Sequence, residues 1–372
     1  MSRHNVRREA RTPFRYRTCV DHRVRGHEIV TGAARIDNTI GPRQTHSHAC
    51  AAVGLSFVLH ATAASLWKEK SMLRDSRFQR FEVCPLTGAL GADVRGIQLS
   101  ASADDEAFIE LRRVLDHYHV IAVRGQKLTP QTFHEVARRF GPFSGNPVHQ
   151  PMEGLDDVVT FIREPDDTGM VAGENWHMDL AWMEKPPGFT MLYGHVIPPV
   201  GGDTCFASLE QAYRALSPGM RALLEGLTGI HCGKGVFGIN AATTRLGLRL
   251  DNAKAIEELE TEHPVICAHP ATGTRYVFVS SVLQRFKGMT AEETKPIVDY
   301  LLAIATRPER TCRVRWEEGT LTIWANPFVL HTAINDYSGH RRVTYRTTVE
   351  GHVPQAAPAQ SAPDTTSSMR AA

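Results

Sequence analysis

The 372-residue chain has no closely spaced pair of cysteines. Its seven (Cys19, Cys50, Cys84, Cys205, Cys232, Cys267 and Cys312) are scattered without a CxxC, which argues against a disulfide framework and suits reduced thiols in the cytoplasm. A strong charge of either sign is also missing. The formal net charge is +2, so electrostatics give no ground for a nucleic-acid partner. No long apolar run is free of polar residues: Ala49 to Trp67 is broken by Ser56, His60, Thr62 and Ser65, which argues against a membrane span. An apolar core is absent from the first ~30 residues, where a secretory leader would carry one. Internal repeats are absent too.

What remains is ordinary globular material, 42% hydrophobic and 22% charged. Lysine is missing from residues 1–48, which carry ten arginines, five histidines and four acids. Residues 1–77 read as a basic extension, disordered or preceding a later start at Met72. A folded domain is expected over 78–354. The Pro/Ala/Ser-rich residues 355–372 are expected to be a disordered tail.

Within the domain, "FEVCPLTGALGADVRGIQL" reads as strands joined by tight turns. Asp104 to His117 places Phe108, Leu111, Val114 and Leu115 at helical spacing. "HVIAVRG" is a buried strand, and "TPQTFHEVARRFG" opens a helix with a Thr cap and a proline at its first position. Two more helical segments cover Leu209 to Gly226 and Ala291 to Thr306. From residue 155 onward strand patterns dominate. With no βαβ alternation, the expected class is mainly β with flanking helices, a sandwich or barrel.

Chemistry concentrates in "NWHMDLAW" from Asn175 to Trp182. As an extended strand this segment directs His177 and Asp179 to one face, two of the three ligands of a facial triad for non-haem Fe(II). The third ligand has six candidates: His195, His231, His263, His269, His331 and His340. His331 stands out because Arg342 and Arg346 follow it, four apart and therefore on one strand face. Each guanidinium there offers a planar fork to a carboxylate. Thr204, after the Gly201–Gly202 turn, offers a hydroxyl for the same purpose.

"NWHMD", "GGDT", "HP" at 263, "HPATG" at 269 and "H…NDY…RR…R" from 331 to 346 resemble the family of 2-oxoglutarate-dependent dioxygenases that includes taurine dioxygenase and 2,4-dichlorophenoxyacetate dioxygenase. The likeness spans about residues 80–354, and "CRVRW" looks closest to aryloxypropionate-cleaving members. It implies a double-stranded β-helix (jelly roll, cupin-like), with Fe(II) held by His177, Asp179 and His331. The cosubstrate 2-oxoglutarate falls to Thr204 and Arg342, and a small anionic substrate to Arg346. O2 is consumed, succinate and CO2 leave, and hydroxylation cleaves C–O or C–S bonds when the carbon bears such a group. A carboxylate at Asp179 favours hydroxylation over halogenation. The family also implies a homo-oligomer, while the scattered thiols point to the cytoplasm and the small net charge and interrupted apolar run to no nucleic-acid or membrane partner.

Three departures bear on substrate. Gly173 stands where taurine dioxygenase has asparagine, and Asn146 and His149 stand where it has histidine and tyrosine around "PV". "WAN" with Ala325 replaces "WDN", leaving Asn326. Trp176 and Trp182 offer an aromatic wall for an aryl group or are plain core. The remaining alternatives are a taurine or alkylsulfonate dioxygenase and a catalytically silent jelly-roll binding protein.

Overall fold

The computed structural model describes residues 74–234, 247–249, 251 and 253–358. The expectations for the basic extension, for the Ala49–Trp67 run and for a start at Met72 therefore lie outside the described residues. Those residues form a mainly β architecture with few helices.

The first hairpin, β1 (Glu82–Pro85) and β2 (Ala92–Arg95), is antiparallel. The chain then enters α1 (Asp105–Tyr118), capped by the Asp104 carboxylate. The helix buries the apolar face expected of it and ends at His119, whose φ of 58° is left-handed. Strand β3 (Val120–Val123) runs parallel to β2. This single crossover was not expected from the strand pattern; parallel neighbours need such a connection, and α1 supplies it. Thr129 caps α2 (Pro130–Arg138) through a reciprocal box with Thr132.

The main sheet has seven strands in the order β1-β2-β3-β13-β5-β15-β4. The last four are β13 (Leu321–Ala325), β5 (Phe189–Val196), β15 (Arg342–Val349) and β4 (Val159–Arg163). A three-stranded sheet pairs β6 (Thr204–Ser208) with β12 (Thr311–Val314) on one side and β14 (Val329–Ala333) on the other. The two sheets meet through fully buried Phe206 of β6, edge-on to Trp324 of β13 at 5.4 Å. Strands β7 (Thr228–Cys232), β8 (Glu260–Pro264) and β11 (Leu283–Phe286) form a second three-stranded sheet, and β9 (Ile266–Ala268) pairs with β10 (Arg275–Val277).

The segment expected as one helix from Leu209 is two, α3 (Leu209–Ala215) and α4 (Pro218–Leu224), parted at "LSP" and recapped by Ser217. Short α5 (Ala253–Glu258) was not foreseen, and α6 (Ala291–Ala305) lies where expected.

The tail expected to be disordered from 355 is held for its first residues. Ala356 bridges Cys267, with Ala268 N–H donating to Gln355 O and Ala357 N–H to Ile266 O. The free edge of β9 accounts for it, since exposed strand edges recruit extended chain. Residues 359–372 lie outside the described set. Among the described residues no helix is long and apolar enough to cross a membrane, and Cys84, Cys205, Cys232, Cys267 and Cys312 are free thiols.

A candidate metal centre and its anion-binding cavity

"NWHMD" is not a regular strand. Only His177 pairs, in an isolated antiparallel bridge with His331 of β14. His177 N–H donates to His331 O at 3.0 Å and His331 N–H to His177 O at 2.8 Å. Directly opposed residues of an antiparallel pair point to one side, so the bridge sets the imidazoles side by side, ring centroids 4.1 Å apart. The chain then turns, and Leu180 takes a left-handed φ of 49°. Asp179 reaches the same spot from this turn and not from strand alternation.

The three side chains offer ligand atoms all within 4.8 Å of one another. Asp179 Oδ1 lies 3.8 Å from His177 Nε2 and 3.7 Å from His331 Nε2. Neighbours fix which atoms face inward. His177 Nδ1 sits 2.7 Å from Asn175 O, which places a proton on Nδ1 and a lone pair on Nε2. Asp179 Oδ2 accepts from the Thr190 hydroxyl at 2.8 Å, which turns Oδ1 toward the two imidazoles and Arg346. Asn326 clamps the Asp179 backbone from both sides, accepting from its N–H and donating to its carbonyl, each at 3.0 Å. Ala325 ends β13, and the role of "WAN" rests on this asparagine.

Electrostatics suit a cation. Burial raises the Asp179 pKa, but Arg346, His331, His177 and the Thr190 hydroxyl outweigh it and hold the carboxyl well below its ordinary range. Burial, then His177, bring His331 down to about 3 against the pull of Asp179, so it presents a neutral lone pair. Two imidazole nitrogens and one carboxylate oxygen are the donor set that selects Fe(II) with positions left open.

Beside the triad opens a cavity of about 760 Å³. Arg342, Thr344 and Arg346 line it from one face of β15, and Thr204 from the start of β6. Arg342 makes no ion pair among the described residues, and its Nε is buried without a hydrogen-bond partner. Burial draws its pKa down, countered by Tyr337 and Asp203. A half-buried guanidinium whose Nε is closed off from water without a partner is costly and marks a place for an anion. Arg346 Nη2 lies 2.7 Å from Asp179 Oδ1, as an ion pair without the alignment of a hydrogen bond.

His149 also lines the cavity, 7% exposed, with neither ring nitrogen partnered among the described residues. Burial and then Arg346 hold its pKa at about 3. Asn146, expected at the substrate, does not line the cavity. Its Oδ1 is turned back to accept from the N–H groups of Val148 and His149, both at 2.9 Å, so it shapes the turn that presents His149. Trp182 lines the cavity and packs with Val148 and Ile256, whereas Trp176 packs against the main core.

The other candidate histidines are elsewhere. His195 stacks on Tyr345 and His269 flanks Phe328. His231 and His263 face each other at 5.3 Å, and His263 Nε2 holds the carbonyl of Met183 beyond Asp179. His340 is exposed. Sequence reasoning gave Thr190 and Trp316 no role: Thr190 is one of many strand threonines, and Trp316 carried only the "CRVRW" likeness.

Two imidazoles and a carboxylate converging beside an unpaired guanidinium define a metal-dependent oxygenase site of the facial-triad class. Residues 82–348 match the model of the taurine catabolism dioxygenase TauD, TfdA family, and the chain belongs to that family. An alkylsulfatase of Acinetobacter baylyi is 32% identical, over 74% of this chain and 86% of its own length. An alpha-ketoglutarate-dependent sulfate ester dioxygenase of Pseudomonas putida is 30% identical, over 73% and 90%. The crystal structure of a taurine dioxygenase from Burkholderia xenovorans superposes with a TM-score of 0.61 at 32% identity, covering 74% of this chain and 91% of that one. This chain is accordingly an enzyme, a 2-oxoglutarate-dependent dioxygenase using Fe(II) and O2, and not a catalytically silent binding protein.

Proposed function

We propose that the enzyme hydroxylates a small organic anion, with a sulfate ester favoured over an aryloxyalkanoate, a sulfonate such as taurine, or a related carboxylate. The carrying observation is that Arg346 and His149 line the same cavity, a cation and a neutral N–H donor beside the triad. The names of the two sulfate-ester relatives support the choice of ester, whereas "CRVRW" pointed to aryloxypropionates. Gly173 and Asn146 in place of side chains expected at the taurine position weigh against taurine.

In this reading His177 Nε2, Asp179 Oδ1 and His331 Nε2 hold Fe(II). Bound there with 2-oxoglutarate and O2, Fe(II) supplies the oxidation of a substrate C–H bond, with succinate and CO2 released. Thr204 and Arg342 take the far carboxylate of 2-oxoglutarate, which satisfies the unpaired guanidinium. Arg346 and His149 fix the anionic end of the substrate and aim the adjacent carbon at the metal. Val148, Trp182 and the rest of the apolar wall exclude water around its hydrocarbon part. A carbon bearing both a new hydroxyl and an ester oxygen expels sulfate and becomes a carbonyl.

We read the two facing sheets as a double-stranded β-helix, a cupin-like jelly roll. The free thiols and the family support a cytoplasmic homo-oligomer without nucleic-acid or membrane partners. The test is 2-oxoglutarate turnover with hexyl sulfate, taurine and 2,4-dichlorophenoxyacetate. Sulfate release from the first is expected; sulfite from taurine or a phenol from the aryloxy acid, with hexyl sulfate inert, would reverse the ranking.

A further inference from the structure

Behind Thr204 and Arg342 lies a side chain that does not line the cavity. Trp316 follows β12, whose Val314 stands in register with Thr204 of β6. It is 3% exposed. Its Nε1–H donates to Thr204 Oγ1 at 3.0 Å, and Arg342 Cζ sits 5.4 Å from its ring.

We propose that Trp316 is the positioning residue for the far carboxylate of 2-oxoglutarate, acting through Thr204 and Arg342 at once. This rests on the assignment of those two residues to the cosubstrate. An indole N–H only donates, so Thr204 is the acceptor in their contact. The hydroxyl proton is thereby left to point elsewhere, and no other partner holds Thr204 Oγ1 among the described residues. The direction available is the cavity that Thr204 lines.

Arg342 gains from the other face of the same residue. The ring attracts the guanidinium without neutralising it, and Tyr337 flanks it at 5.9 Å. A carboxylate in this place would compensate burial equally well but would occupy the fork that an incoming anion needs. The aromatic cradle holds the cation in position and keeps its hydrogen-bonding edge free.

The test compares two keto acids in anaerobic titrations of the Fe(II)-loaded full chain, following the absorbance of the metal chelate. Both 2-oxoglutarate and pyruvate carry the chelating keto-carboxylate, and only 2-oxoglutarate has the far carboxylate. Trp316→Phe keeps the ring and removes the N–H. The expected result is a Kd for 2-oxoglutarate raised about tenfold, the scale of one hydrogen bond to a charged partner, with the pyruvate Kd unchanged. In a Thr204→Val background the same substitution should add less than about twofold, since no hydroxyl remains to orient. Equal weakening of both keto acids, or full additivity with Thr204→Val, would overturn the role of Trp316. If Thr204→Val itself leaves 2-oxoglutarate binding unchanged, the cosubstrate assignment falls, and the role of Trp316 falls with it.

Discussion

Single side chains divide the labour of this site by what already holds them. Among the described residues Arg342 has no carboxylate partner, and Arg346 shares Asp179 with the metal position. Arg342→Ala should therefore raise the KM for 2-oxoglutarate by at least about tenfold, the worth of a charge-assisted pair, and barely move that of the substrate. Arg346→Ala should do the reverse. Steady-state kinetics with each substrate varied in turn decide it, and equal effects on both constants would refute the split. That His177, His331, Thr204, Arg342 and Arg346 would gather at one cavity was legible in the sequence because their residue types and spacing carry the chemistry. Asn146 stands outside the cavity lining, its amide oxygen taken by its own turn, a competition that no spacing reveals. Trp316 was silent because its role depends on the register of β12 against β6.

At the scale of elements, the site depends on one short bridge and one unusual loop. The His177–His331 bridge joins a loop to β14, and the loop reaches it through Gly173 at a φ of +80°. A Cβ there would lie 2.9 Å from His177 Cε1, and a left-handed backbone disfavours any side chain. Gly173→Ala should push the His177 imidazole aside and weaken Fe(II) binding roughly tenfold or more, on the scale of lost ligand support. Isothermal titration with Mn(II) measures this directly; unchanged affinity would show that the loop yields instead. The sequence placed most strands and helices, since their alternation and caps are local signals. It gave "NWHMD" a strand that does not exist, because convergence of His177 and Asp179 comes from a turn after a single bridge. The β2–β3 crossover was likewise invisible, being a property of which strands become neighbours.

For the molecule as a whole, buried neutral histidines couple stability to pH. His231 is 0% exposed, with its pKa lowered to about 3 by burial and then by His263, and His149 and His331 are similarly held. Below pH 6.5 the unfolded chain takes up these protons while the folded chain refuses them until about pH 3. Stability of the metal-free protein must fall as pH drops through that window, by at most about 1.4 kcal/mol per pH unit for each such histidine. Urea midpoints between pH 7 and 5 should fall accordingly. The slope should be shallower in His231→Asn, and an unchanged slope would contradict the account. Function at this scale was readable from the motifs before the fold was, because the ligand set and the arginine spacing are more specific than strand patterns.

The proposed site has His177, Asp179 and His331 holding an Fe(II) that 2-oxoglutarate chelates. Anaerobic titration of the protein with Fe(II) and 2-oxoglutarate, followed by the visible charge-transfer band of the chelate, tests it most directly. The band should appear in the wild-type protein and vanish in His177→Ala with the fold intact. Its absence from folded, Fe(II)-loaded wild type, or its persistence in the variant, would contradict the site assigned here.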